Sequence, residues 1–197
     1  MKPLKILKYV IVALLLSFMA FIAFRIMMTS DRSTLKEIVS TESAKAAYAA
    51  DGDGAFLYSD IPDEMSPDGY FTAYEMAFCP AGRELQITVR YNDSLYEKYL
   101  PGSDPEKYYF VLKDKEGNVV SRATVVGEKE RYFYNHFRLA FDGVVLSEES
   151  ELYLFLCSDE SSYPADHTEG VLLVHPSIKF SQRRLTSEEK ALFKKAN

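Results

Sequence analysis

Apolar and polar positions follow three different periods along this chain. Residues 9–24 (YVIVALLLSFMAFIAF) run for 16 positions without a charge, about 24 Å as a helix. A bilayer's hydrocarbon core is about 30 Å thick. Leu4, Ile6 and Leu7 extend the run on one side and Ile26, Met27 and Met28 on the other, because Lys5, Lys8 and Arg25 can reach the headgroups along their own aliphatic stems. The pattern therefore predicts a crossing from Leu4 to Met28. A cleaved signal would need small residues at −3 and −1 of a cut shortly after the run. Neither Phe21-Ile22-Ala23 nor Phe24-Arg25-Ile26 supplies them. The reading is an anchor that stays, with its short basic head inside the cell and everything after it outside.

The second regime, STLKEIVSTESAKAAYAA at 33–50, is rich in helix formers and holds a Thr34-x-x-Glu37 capping box, with only a thin apolar stripe of Leu35, Ile38, Val39 and Ala46. It predicts a membrane-proximal stalk helix, a flexible tether being the alternative. Residues 51–69, dense in Asp, Gly and Pro, predict a loop.

From residue 70 the period becomes two. ELQITVRY (84–91) alternates Leu85, Ile87, Val89 and Tyr91 with Gln86, Thr88 and Arg90, as a half-buried antiparallel strand does. YFTAYEMAF (70–78) places Thr72, Tyr74, Met76 and Phe78 on one face, and residues 79–83 are short enough for a hairpin. Further strands are expected at 108–114, 119–127, 132–141, 151–157 and 170–180, with turns at 115–118 and 142–143. Pro176 points to an edge or bulge in the last of them.

Seven short strands with no helix interleaved predict a mainly β protein: one antiparallel sandwich behind a transmembrane helix. In architecture alone it resembles immunoglobulin-like sandwiches. The chain has no Trp, and Phe155 stands two before the second Cys, where the tyrosine-corner residue would be. LTSEEKALFKKAN carries a Thr186-x-x-Glu189 capping box and a basic last turn, which predicts a short C-terminal helix. The expected organisation is head and anchor over 1–32, helix and acidic loop over 33–69, sandwich over 70–182, and helix or tail over 183–197.

Charge narrows the partners. The chain carries −6, and Lys2, Lys5, Lys8 and Arg25 contribute +4 through residue 28, which leaves −10 for the remainder. Nucleic-acid phosphates and anionic lipid headgroups should repel such a domain. The membrane is then a partner only through the anchor, and nucleic acid is excluded.

Candidate chemistry is sparse. Cys79 and Cys157 end two predicted strands on the face opposite the main apolar set, either bridged, as an outside compartment permits, or free. His136, His167 and His175 are isolated from one another, which disfavours a metal site. Residues 158–170 and 51–54 hold several carboxylates without calcium-loop spacing. Ser161 and Ser162 near Asp166 and His167 lack a nucleophile elbow and an oxyanion site. No catalysis, cofactor or metal is expected. A binding face is the stronger candidate: with Phe133, Phe137, Leu139 and Phe141 inward, Tyr132, Tyr134, His136 and Arg138 face out, and Arg90, Tyr109 and Lys113 can share their sheet. Tyr with Arg is the composition of recognition surfaces. The expected function is a non-catalytic, anchored extracytoplasmic module that binds a protein or cell-envelope component. The alternative is an accessory subunit of a membrane complex whose anchor helix is itself an interface.

Overall fold

The computed structural model describes residues 3–32, 38–59, 61, 64–67, 69, 71–91, 108–131, 134–158 and 170–194. Its first element is helix α1 (Pro3–Arg32). Within it Leu7–Thr29 has a mean hydropathy of 2.5, and none of that stretch is buried inside the fold. By length and composition this helix is able to cross a membrane.

The rest is mainly β. Strands β1 (Leu57–Ser59), β2 (Glu64–Met65), β3 (Phe71–Cys79), β4 (Glu84–Tyr91), β7 (Thr124–Glu130) and β8 (Asn135–Phe141) form a six-stranded antiparallel sheet in the order β1-β3-β4-β8-β7, with β2 also paired to β3. Strands β5 (Tyr108–Asp114), β6 (Val119–Arg122), β9 (Leu152–Ser158) and β10 (Val171–Val174) form a second antiparallel sheet, ordered β10-β9-β5-β6. Between the sheets lies one apolar core. Leu85, Ile87 and Val89 of β4 and Leu139 and Phe141 of β8 meet Phe110 and Leu112 of β5 and Leu152, Leu154 and Leu156 of β9. Phe71 and Phe110 close the contact edge to face, with ring centroids 5.1 Å apart.

Four local features differ from the expected pattern, each with a visible cause. The strand expected over 170–180 ends at Val174, and a turn through Pro176 follows, closed by Ile178 N–H to His175 O. Residues 119–127 do not form one strand, because the chain leaves β6 at Ala123 and enters the other sheet as β7. In β3 the register shifts between Tyr74 and Met76, where Glu75 takes φ 51°. This bulge inverts the parity, so Met76 and Phe78 enter the core while Tyr74, Ala77 and Cys79 point to the opposite face. The expected loop over 51–69 contains a 3-10 turn (Gly52–Ala55) and the strands β1 and β2.

The larger difference is a second buried layer on the outer face of the six-stranded sheet. Helix α2 (Glu42–Asp51), the turn after it and the terminal helix α3 (Ser187–Lys194) lie there. Ile38, Ala44, Ala47, Ala55, Phe56, Leu185 and Phe193 pack with Tyr58, Ala77 and Cys79. The small Ala44 and Ala47 let α2 approach the sheet, and Phe193 stacks on Tyr48 and Phe56 at centroid distances of 4.8 and 5.5 Å. Each large side chain buried in this way stabilises by about 2 kcal/mol. The segment expected as a free-standing stalk is therefore docked from Ile38 onward. Its helix is capped by Thr41, which accepts from Ala44 N–H. The Thr34-x-x-Glu37 box lies outside the described residues. Cys79 and Cys157 are both buried, and neither is in a disulfide. They belong to different sheets and face away from the shared core, Cys79 beneath the cover and Cys157 between Leu156 and Ser158 on β9.

Candidate functional site: one covered polar face and one open aromatic face

On β4 and β8 the side chains that alternate with the core form a polar layer beneath the cover. Glu84, Gln86, Thr88, His136 and Arg138 are all buried. Gln86 acts toward Val39 as a neighbouring strand would: its Oε1 accepts from Val39 N–H (2.9 Å) and its Nε2 donates to Val39 O (2.8 Å). Glu84 accepts from the hydroxyls of Thr41 (2.6 Å) and Ser43 and from Gln86 Nε2 (2.6 Å). Arg138 has no exposed surface. It donates to Thr88 Oγ1 (2.7 Å) and Gln86 Oε1 (3.3 Å), and more weakly to Glu75 O (3.5 Å). Its Nη2 has no hydrogen-bond partner among the described residues. Burial pulls Arg138 down to about 10, against the upward pull of the nearby Glu75 carboxylate, so the guanidinium remains charged at neutral pH. His136 Nδ1 lies 2.7 Å from the Tyr74 hydroxyl.

The cover is closed by Glu189 at the first turn of α3. One carboxylate oxygen accepts from Ile38 N–H (3.0 Å) and both take the fork of Arg183 (2.8 Å each). The expected capping box is formed in both halves, Glu189 N–H to Thr186 Oγ1 (3.1 Å) and Thr186 N–H to Glu189 Oε2 (2.7 Å). Burial alone would raise the Glu189 carboxyl, but the bonds from Arg183, Thr186 and Ile38 outweigh it and hold the group below its ordinary value. Arg183 also lies over the Tyr58 ring at 3.8 Å.

The outer face of the four-stranded sheet differs in kind. Arg122 sits 3.6 Å over the Tyr109 ring, and Lys113 sits 4.7 Å over Phe155. Tyr153 lies opposite Lys113 on one side and opposite Leu172 on the other, and Leu172 is 38% exposed. Gly170 lets the Phe155 ring come so close that an added Cβ would stand 2.5 Å from it. Arg122 is exposed, while Tyr109, Lys113, Tyr153 and Phe155 are half-buried. Cations seated on rings gain from the ring quadrupole and keep polar edges toward solvent.

The expected single face is thus divided. Arg90, His136 and Arg138 belong to the six-stranded sheet, with Tyr134 one residue before β8, and Tyr109 and Lys113 belong to the other. His136 and Arg138 do point away from the shared core, but both are fully buried, His136 against Tyr74 and Arg138 against Gln86 and Thr88, which corrects their placement at the surface. Arg90 lies 5.0 Å over Tyr134, both half-buried, at the far end of that sheet. Tyr132 lies outside the described residues, as do the acidic loop at 159–169 and Ser161, Ser162, Asp166 and His167. Sequence reasoning missed Arg122, Tyr153, Phe155 and Leu172. Residues 151–157 are apolar on both faces, so their parity gave no signal; the spacing of Tyr153 and Phe155 was the one available cue.

Among the described residues no group of three His, Cys, Asp or Glu side chains converges as a metal site would require. Compared with known proteins, the chain matches no family, no curated sequence and no solved structure.

Proposed function

We propose that this protein is a single-pass, membrane-anchored extracytoplasmic interaction module. An immunoglobulin-like sandwich recognises a protein or cell-envelope component without catalysis. The observation that carries this reading is the contrast between the two outer sheet faces. One is sealed by the chain's own helices, and the other presents Tyr109, Lys113, Arg122, Tyr153, Phe155 and Leu172, aromatic and cationic side chains suited to recognition. The apolar, unburied Leu7–Thr29 stretch supports the anchoring.

The same stretch favours a second reading, an accessory subunit of a membrane complex held through α1. A photoreactive residue at Tyr153, with another at Glu116 as control, tests both. In cells, a discrete adduct at 153 that survives exchange of α1 for an unrelated transmembrane helix supports the first reading. Loss of that adduct on exchange supports the second. No adduct at 153 with either anchor overturns the first.

A further inference from the structure

Two buried donors approach one another on the covered face of the six-stranded sheet, and neither is satisfied there. Arg138 starts on β8 and reaches across β4, giving its Nε to Gln86 and its Nη1 to Thr88 and, more weakly, to the carbonyl of Glu75 in the β3 bulge. Its Nη2 is left without a hydrogen-bond partner among the described residues. Tyr58 comes from the opposite edge, on β1. It stands opposite Ala77, and Ala77 stands opposite Gln86, so the three side chains form one row on that face at spacings of about 5 Å. The Tyr58 hydroxyl is buried and also has no hydrogen-bond partner among the described residues. Ala77, fully buried between Tyr58 and Gln86, carries only a methyl group, which can bond neither donor. Arg183 lies over the Tyr58 ring at 3.8 Å but commits its fork to Glu189, so the cover closes the row without supplying the missing bonds.

Arg138 and Tyr58 lie within electrostatic reach of each other and of Glu75 and Glu189. Burial pushes the Tyr58 hydroxyl well above its ordinary value, so it keeps its proton and can donate. Two buried donors in one neighbourhood call for a shared acceptor. An anion would be the stronger acceptor, but the local charge is already balanced, with Arg138 and Arg183 facing Glu75 and Glu189. A further negative charge would be buried without a counter-ion. A water molecule accepts from both donors at no cost in charge, and internal waters at such polar sites ordinarily make about three hydrogen bonds.

We propose that one internal water bridges Arg138 Nη2 and the Tyr58 hydroxyl, joining β8 to β1 beneath the helical cover. With it, Nε, Nη1 and Nη2 of the buried guanidinium each have an acceptor. The site is independent of what the open aromatic face recognises, because every group in it belongs to the covered face.

The test is a crystal structure of the full-length protein, grown from lipidic mesophase in sodium bromide, with data fine enough to show ordered solvent and a second set collected at the bromine edge. The bridge predicts one solvent peak within about 3 Å of both Arg138 Nη2 and the Tyr58 hydroxyl oxygen, without anomalous signal. An anomalous peak at that position overturns water as the occupant and assigns the site to a halide. Absence of a peak, or a peak bonded to only one of the two groups, overturns the bridge. Tyr58→Phe removes one partner and little bulk, and should lower the occupancy of the peak by about twofold or more, while Arg138 keeps its bonds to Gln86 and Thr88. Undiminished occupancy in that variant overturns the part assigned to the hydroxyl.

Discussion

The buried charges of this molecule do different work. Glu189 is fully buried with every bond from Arg183, Thr186 and Ile38 directed at its ionised form, and its carboxyl lies below the ordinary value of 4.5. A carboxylate depressed by folding contributes stability that is present above its unfolded value and lost as pH falls through the lower folded one. Glu189→Gln should therefore destabilise the body by about 2 kcal/mol at neutral pH. The difference from wild type should shrink on acidification below 4.5, and thermal unfolding followed by circular dichroism across that range reads it. Arg138 is the opposite case, a cation that burial disfavours yet the polar layer requires. Removing its side chain with Arg138→Ala takes the counter-charge from Glu75 and the donor from Thr88, and should cost about 3 kcal/mol. A variant as stable as wild type would mean that the layer does not depend on its cation.

Elements differ in how much of their placement was visible in the pattern. The alternation of β4 was legible because Leu85, Ile87 and Val89 do form one wall of the core, and the α3 cap was legible because Thr186 and Glu189 carry their own geometry. The bulge at Glu75 was not, since a single left-handed residue leaves no periodic trace and reassigns every side chain before it. Nor was the cover. Gln86, Thr88, His136 and Arg138 read as solvent-facing because polar residues on alternate positions ordinarily are, and only long-range contacts, which leave no local pattern, bury them. The α2 contact is directly testable. The position that a Gly82 Cβ would occupy lies 3.0 Å from Cys79 Sγ and 3.2 Å from Ser43 Cβ, so Ser43→Cys brings a second thiol to Cys79 within bridging reach. Mild oxidation of folded protein should give an intramolecular 43–79 disulfide, identified by peptide mass spectrometry. The reaction should be slow near neutrality, because burial raises the Cys79 thiol and the thiolate is the reactive form. Failure to cross-link under native conditions would remove α2 from the β3–β4 hairpin.

At the scale of the whole molecule, the proposed reading requires the two outer faces of the paired sheets to have opposite tolerances, one as a packing surface and the other as a recognition surface. Ala77 is fully buried between the six-stranded sheet and the helices, where a carboxylate would lose its water and crowd the packed Tyr58 and Cys79 side chains, a penalty of several kcal/mol. Tyr153 is half-buried on the other face beside Lys113, where a carboxylate stays hydrated and gains a neighbouring ammonium. Ala77→Asp should therefore abolish cooperative unfolding or lower its midpoint by more than about 10 °C, given that 1 kcal/mol moves a domain of this size by roughly 2–4 °C. Tyr153→Asp should move the midpoint by about 3 °C or less while deleting the adduct formed by a photoreactive residue placed instead at the neighbouring Leu172. Equal damage from both would mean that the aromatic face is packing rather than surface. Damage at 77 alone, with binding lost at 153 alone, assigns stability to the covered face and recognition to the open one.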